Sequence, residues 1–139
     1  MEIKVVLDTN VLVSALISTG LPNKVVFDCV IGRNIPICLS QAILDEYENV
    51  LMRPKFAKFS NFRTNAKRLL PKLVRVAEFY EPVIKLDFIK DESDNRFLEL
   101  AVSAKANFII TGNTNDFTFP EYEGIQIVSP KFFYENYCQ

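Results

Sequence analysis

The sequence contains no histidine. Histidine is the usual general base near neutral pH and a common metal ligand. Its absence excludes histidine-dependent hydrolase triads, two-histidine ribonuclease chemistry and histidine-ligated metal sites. Any hydrolytic chemistry must therefore use carboxylates, lysine, cysteine, or a hard metal ion that is bound through oxygen.

Cysteine is scarce, and its positions match no familiar pattern. The three cysteines, Cys29, Cys38 and Cys138, are widely separated and odd in number. This spacing fits neither a zinc site nor a disulfide framework, so we expect ordinary thiols in the core or on the surface.

Long hydrophobic runs are also missing. No stretch approaches the ~20 apolar residues of a membrane span, and Asp8 and Asn10 interrupt any would-be signal peptide. We therefore predict no membrane association and a cytoplasmic location. The 139 residues, 49% of them hydrophobic, are enough for a substantial core and predict one domain over residues 1–139.

Acidic residues are absent between Glu48 and Glu78, while half of the 16 basic residues lie in that interval. This basic block consists of Arg53, Lys55, Lys58, Arg63, Lys67, Arg68, Lys72 and Arg75. A charge run of this kind is usually a solvated helix face, and it can also be a patch for phosphate backbones. The charge pattern alone does not decide between the two.

Strand and helix patterns alternate along the chain. Apolar runs predict strands over residues 2–8, 35–39, 82–86, 107–111 and 125–128. Helical patterns cover residues 10–18, 22–31, 41–52, about 61–79 with a break or restart at Pro71, 94–105, and a last helix after Ser129. This alternation predicts an α/β fold in which a mostly parallel sheet is covered on both faces.

Polar residues follow two of the predicted strands. Asp8 ends the first strand, and residues 111–116, "TGNTND", follow the fourth. Open parallel sheets bind ligands beyond the carboxyl ends of their strands, so these residues mark a candidate site.

The helix predicted over residues 94–105 carries an aspartate on its apolar face. Asp94 falls within the stripe formed by Phe97, Leu98 and Ala101. This placement indicates a carboxylate that points towards the core. The alternative is that Asp94 or Asp91 only caps the helix, and periodicity leaves both possibilities open.

Two glutamates compete for a role on the helix that Ser40 is expected to cap. Glu46 and Glu48 lie on opposite edges of its apolar stripe, and periodicity does not choose between them. Several carboxylates in one cleft repel each other and stay ionised only around a cation. In a chain without histidine the fitting cation is Mg²⁺ or Mn²⁺, which can activate water at a phosphoryl centre.

Four motifs together resemble the PIN-domain family in order and spacing, over almost the whole chain. They are "LDTNVLVSAL", "LSQAILDEYENVLMRPKF", "DESDNRFLELAVSAKANFIITGNTNDF" and "IQIVSP". The resemblance is greatest to the prokaryotic branch of toxins from toxin–antitoxin pairs. It implies a three-layer α/β/α sandwich and a metal-dependent endoribonuclease that leaves a 5′ phosphate.

The resemblance also assigns the site. It implies catalytic roles for Asp8, Glu46, Asp94 and Asp116, and it prefers Glu46 to Glu48. Thr9 and Asn10 match residues that brace the first aspartate through hydroxyl or amide hydrogen bonds. Asp91 and Thr111 are further supporting residues.

The fourth acidic position departs from the family pattern. Asn113 stands where the family usually has aspartate, and Asp116 follows in an "N-x-x-D-F" variant. The implied metal ligands are therefore Asp8, Asp94 and either Asp116 or Asn113. Which of the two serves, and how many ions bind, stays open.

The resemblance implies several partners. RNA is the expected substrate, with Arg53, Lys55, Lys58 and Arg63 as contacts for its backbone. Nearby Phe56, Phe59 and Phe62 either stack on unpaired bases or pack in the core. An antitoxin that inserts into the acidic cleft, and a homodimer, are also expected.

Two rival functions remain. One is a PIN-fold module without useful catalysis that binds RNA or protein. The other is a different phosphoryl-transfer domain, and it fits poorly. A response-regulator receiver needs a lysine after the fourth or fifth strand, and this chain has none at a suitable place. A haloacid-dehalogenase-like phosphatase needs an aspartate where this chain has Asn10.

Overall fold

The computed structural model describes residues 3–89, 92–112 and 119–138. The strands are β1 (Val5–Leu7), β2 (Ile37–Leu39), β3 (Ala77–Phe79), β4 (Phe108–Ile110), β5 (Glu121–Tyr122) and β6 (Ile125–Val128). The helices are α1 (Thr9–Ile17), α2 (Leu21–Asn23) with a π-helix after it (Lys24–Ile31), α3 (Gln41–Leu51), a 3₁₀ turn (Pro54–Phe56), α4 (Phe62–Arg75), α5 (Glu92–Ala104) and α6 (Pro130–Tyr137).

The six strands form one sheet in the order β3-β2-β1-β4-β6-β5. Its strand pairs are parallel, apart from the antiparallel pair of β5 with β6. Every residue of β1, β2 and β4 is buried, as expected for strands covered on both faces. The predicted α/β sandwich with a mostly parallel sheet is confirmed.

Two serines begin helices as the sequence predicts. Ser40 Oγ accepts a hydrogen bond from Ile43 N at 3.2 Å, and Ser129 Oγ accepts one from Phe132 N at 3.0 Å. Each bond satisfies an amide that has no partner within its own helix. Since α3 follows β2 directly, the Ser40 cap fixes where α3 leaves the sheet.

The predicted third strand is wrong, because residues 82–86 form no strand. The strand beside β2 is β3, where Ile37 is in register with Ala77. The predicted helix therefore ends earlier, at Arg75, and it continues through Pro71 without a break. Pro71 and the residue one turn before it, Lys67, are both exposed, so water can bind the carbonyl that proline leaves without a donor.

The second predicted helix is confirmed in position and differs in type. After α2 the chain continues as a π-helix, and Gly32 N donates to Phe27 O at 2.9 Å. A side chain at Gly32 would collide with the carbonyl of Asp28, so glycine is required where this helix ends.

The expectation that all cysteines are ordinary thiols is wrong for two of them. Cys29 on the π-helix and Cys138 after α6 form a disulfide, with Cα atoms 5.7 Å apart. The sequence could not show this because 109 residues separate the pair, and only the packing of α6 on the π-helix brings them together. Cys38 is a free, buried thiol, and burial raises its pKa to about 12.

Within the described residues, no single helix is both long and apolar enough to cross a membrane. The pair Thr9–Ile17 and Leu21–Ile31 meets the criterion together by length and composition, with a bend of 112° between the two parts.

Candidate functional site

Asp8 lies where the order of the sheet reverses. The chain runs from β1 outward to β2 and β3 and then crosses back to β4 on the other side of β1. Asp8 N donates to Ile110 O at 3.0 Å, which continues the β1–β4 ladder up to this residue. The side chain of Asp8 is 6% exposed. The first acid is thus at the switch point, where open α/β sheets bind ligands.

Thr111 holds the carboxylate of Asp8. Its hydroxyl donates to Asp8 Oδ2 at 2.7 Å, across the gap between β1 and β4. Thr111 is itself buried, and its amide donates to Val128 O at 2.9 Å. A hydroxyl that is fixed in this way sets the rotamer of Asp8 and offsets part of the free-energy cost of burying a carboxylate.

Thr9 and Asn10 act differently from the expectation that they brace Asp8. The hydroxyl of Thr9 is buried and has no hydrogen-bond partner among the residues that the structure describes. Asn10 Oδ1 accepts from Gly112 N at 3.2 Å, so Asn10 fastens the segment after β4 to the start of α1. Bracing of Asp8 by Thr9 is wrong, and Thr111 has that role.

Asp94 lies inside α5, which begins at Glu92, so it is not the cap residue. Its side chain is 6% exposed, and the predicted orientation towards the core is confirmed. Helix α5 packs against the central strands β1, β2 and β4. Asp91 lies outside the described residues.

The entry into α5 is held by Asn95, a residue that the sequence did not single out. Asn95 Oδ1 accepts from Ile89 N at 2.8 Å and from Phe88 N at 3.1 Å, and its amide donates to Ile89 O at 2.6 Å. Asn95 is buried. It therefore fixes the backbone before α5 and, with it, the position of the neighbouring Asp94.

Tyr47 on α3 contacts both the end of β1 and α5, so it connects the three elements that carry or precede Glu46, Asp8 and Asp94. It lies on α3, is fully buried, and donates its hydroxyl hydrogen bond to the carbonyl of Leu7 at the end of β1. Its ring meets Phe97 of α5 at 6.4 Å between centroids, one helical turn beyond Asp94. A tyrosine in an apolar stripe needs a partner for its hydroxyl, and this was the sequence signal for its role.

Burial raises the pKa of Tyr47 well above its usual range, and the carboxylates of Asp8 and Glu46 raise it further. The hydroxyl therefore stays protonated and remains a donor. Glu46 is half-buried and Glu48 is exposed, which agrees with the preference for Glu46.

The oxygen atoms of the described site residues supply only some of the ligands that a hard divalent ion needs. Asp8 and Asp94 are buried carboxylates, and the Thr9 hydroxyl is a buried oxygen left for water or an ion. Over residues 3–89, 92–112 and 119–138, no three acidic or cysteine side chains are grouped to hold a metal ion. The predicted ligands Asn113 and Asp116 lie outside the described residues.

The basic block is on the surface. All of its members are exposed: Arg53, Lys55, Lys58, Arg63, Lys67, Arg68, Lys72 and Arg75. Phe62 is buried and stacks on Phe56 at 4.8 Å between ring centroids, and Phe59 packs against the same core. Core packing is therefore the role of Phe62, and a buried ring cannot stack on a nucleotide base.

The structure is an α/β sandwich with a buried aspartate, Asp8, where β1 ends at the switch point of the sheet, and a second buried aspartate, Asp94, on α5. A ligand site at this place is typical of open α/β sheets. Residues 4–115 match the PIN domain family. The uncharacterized protein MJ1680 of Methanocaldococcus jannaschii is 34% identical over 113 residues, which cover 81% of this chain and 72% of that protein. No solved structure matches. The chain belongs to the PIN domain family, whose members are commonly nucleases and typically use divalent metal ions.

Proposed function

We propose that the protein is a metal-dependent endoribonuclease that hydrolyses phosphodiester bonds of RNA. The observation that carries the proposal is the buried carboxylate of Asp8 at the switch point of the sheet, held by Thr111. Buried carboxylates are unfavourable unless partners or a cation compensate them. Family membership supplies the reaction type, because PIN domains are commonly nucleases.

Mg²⁺ or Mn²⁺ is the cofactor that these residues would hold. Asp8 and Asp94 would be its ligands, with Asp116 or Asn113 completing the set from outside the described residues. When bound, such an ion supplies an activated water and offsets charge on the phosphate.

The residues of the chain have distinct roles in this proposal. Thr111 donates to one oxygen of Asp8 and so would hold the carboxylate in a fixed orientation. Glu46 is half-buried, so its carboxylate can reach both the site and solvent, as a group that orients the attacking water must. In-line attack would leave a 5′ phosphate, as the family resemblance implies.

The exposed basic residues are the proposed contacts for the RNA backbone. Arg53, Lys55 and Lys58 lie between α3, the helix that carries Glu46, and α4, and Arg63 lies in the first turn of α4. Phosphate contacts of this kind position the substrate and carry no sequence preference.

The biological role that we propose is the toxin component of a toxin–antitoxin pair in the cytoplasm, held inactive by an antitoxin. Support comes from the motif resemblance alone. The Cys29–Cys138 disulfide is a feature that a reducing cytoplasm does not favour.

The test is cleavage of single-stranded RNA with and without Mg²⁺. We expect cleavage that requires the ion and falls about 100-fold or more in Asp8→Asn and Asp94→Asn. Glu48→Gln is the matched control, because Glu48 is an exposed carboxylate on the same helix as Glu46, and it should cleave at the rate of the unmodified protein. Cleavage that persists in both aspartate variants would contradict the proposal.

A second candidate is a PIN-fold module that binds RNA or protein and has little catalysis. It is favoured by Asn113, which carries no charge where the family usually has aspartate, and by the absence of a three-acid group among the described residues. This candidate predicts that the protein binds RNA and that Mg²⁺ produces no cleavage above the level of Asp8→Asn.

A further inference from the structure

A cavity of about 340 Å³ lies between the last turn of α1, the helices that follow it, and α4. Part of its lining is apolar and comes from Ala15, Leu16, Phe27 and Leu69. Ala15 and Leu69 are buried, whereas Leu16 and Phe27 are half-buried and keep part of their surface accessible. The volume is within the range of roughly 300–1,000 Å³ that small-molecule sites occupy, and an apolar lining with a few polar groups is typical of such sites.

Two cationic side chains of α4 line the same cavity. Asn65, Arg68 and Lys72 are spaced by three and four residues, so they lie along one face of the helix. Arg68 and Lys72 are exposed, and neither side chain forms an ion pair or a hydrogen bond with the described part of the chain. Among the described residues that line the cavity, none is acidic. The cavity therefore presents positive charge, which favours an anionic ligand.

The segment at the end of α1 adds polar groups to the lining. Ser18 Oγ accepts a hydrogen bond from Gly20 N at 3.4 Å, so the hydrogen of the Ser18 hydroxyl is left to donate. Ser14 O, in the last turn of α1, accepts from Ser18 N at 3.1 Å. Ala15 O accepts from the side-chain amide of Asn23 at 2.8 Å. Two carbonyl oxygens that would otherwise repel an anion are therefore already paired.

We propose that this cavity binds a small phosphate monoester that carries an aromatic ring, which is the chemistry of a nucleoside 5′-monophosphate. A phosphate monoester has a charge of about −1.5 to −2 at pH 7, which matches two cationic side chains. The planar guanidinium of Arg68 binds two phosphate oxygens at once, and Lys72 contributes the second positive charge. The ring of the ligand packs on the apolar lining, where Phe27 supplies an aromatic surface.

The cavity is separate from the candidate metal site. Helix α1 begins directly after Asp8 and ends at the cavity, and its nine residues span about 13 Å. Asp8, Glu46 and Asp94, the described acids of the metal site, are not among the residues that line the cavity. The proposal therefore does not rest on nuclease activity, and it holds or fails independently of it.

The test is isothermal titration calorimetry of the unmodified protein with adenosine 5′-monophosphate, in a buffer free of metal ions and phosphate, so that no ion holds the ligand at the acidic site. We expect the monophosphate to bind. Arg68→Gln and Lys72→Gln should each weaken its binding about tenfold or more, because each removes a charge-assisted contact to the phosphate. Adenosine and inorganic phosphate should each bind more weakly than the monophosphate by about tenfold or more, because each lacks one part of the ligand.

Lys67→Gln is the matched control. It removes the same charge from an exposed position of α4 that does not line the cavity, and it should bind the monophosphate as the unmodified protein does. Absence of binding would overturn the proposal, and so would an equal loss in Lys67→Gln and Lys72→Gln, since general charge would then account for the binding. Inorganic phosphate that binds as tightly as the monophosphate would also overturn it. A 5′-phosphorylated RNA oligonucleotide whose binding Arg68→Gln weakens, while the monophosphate does not bind, would assign the cavity to RNA instead.

Discussion

Asp8 and Thr111 are 103 residues apart in the sequence, and a hydrogen bond of 2.7 Å joins them. The sequence places both residues in the candidate site, because each of them stands at the end of an apolar strand. It does not predict which side chain braces the aspartate, since Thr9 is adjacent to Asp8 and also carries a hydroxyl. The order of the strands determines which hydroxyl bonds to Asp8, because β4 lies beside β1 and brings Thr111 within hydrogen-bonding distance of its carboxylate.

Thr111→Val tests this contact at the scale of one residue. Valine has the same shape and no hydroxyl, so Asp8 Oδ2 loses this donor while it stays buried. We expect the free energy of unfolding to fall by about 1–3 kcal/mol, measured by urea denaturation in metal-free buffer.

Thr64→Val is the control for Thr111→Val, because Thr64 is exposed on α4 and its change should cost no more than about 0.5 kcal/mol. Equal stability of the two variants would show that the bond between Thr111 and Asp8 contributes nothing.

At the scale of elements, α3, β1 and α5 meet at Tyr47. Its hydroxyl bonds to the carbonyl before Asp8, and its ring contacts Phe97 one turn beyond Asp94. Helical periodicity correctly assigns Tyr47 to the buried stripe of α3. It cannot show that the hydroxyl reaches β1, because that depends on how α3 packs on the sheet.

Tyr47→Phe distinguishes the contribution of the hydroxyl group from that of the aromatic ring. The ring contact with Phe97 is kept, and the buried carbonyl of Leu7 loses this donor. We expect a fall of about 1–3 kcal/mol in the free energy of unfolding and weaker binding of Mn²⁺, because the end of β1 is less firmly held.

Tyr137→Phe is the control, because it removes a hydroxyl from an exposed ring on α6. It should change neither the free energy of unfolding nor the binding of Mn²⁺. If Tyr47→Phe behaves like Tyr137→Phe, the hydroxyl does not position the site.

The strand assignments show where sequence patterns mislead. Residues 82–86 are largely apolar and include the β-branched Val83 and Ile84, which predicts a strand, but the structure has no strand there. Ala77–Phe79 lies within a helical pattern and becomes β3, because β2 has an open side there. The hydrophobic pattern identifies apolar segments, but it does not show which segment pairs with β2.

At the scale of the whole molecule, α6 is tied to the π-helix by the Cys29–Cys138 disulfide. The bond closes a loop of 109 residues, and a constraint of that length stabilises a chain by about 4–5 kcal/mol in the chain-entropy treatment. The sequence gives no hint of it, because neither cysteine belongs to a recognisable pattern. The alternation of strands and helices, by contrast, predicts β1, β2, β4 and β6 and a mostly parallel sheet, but it predicts neither β3, β5 nor the order of the strands.

The most direct test of the central claim is Mn²⁺ binding, measured by electron paramagnetic resonance on the unmodified protein and on Asp8→Asn and Asp94→Asn. If buried carboxylates at the switch point form one metal site, the unmodified protein binds Mn²⁺ and each variant binds it about tenfold or more weakly. Asp45→Asn, at an exposed position on α3, should bind as the unmodified protein does. Equal binding by all four proteins, or none by the unmodified protein, would contradict the account.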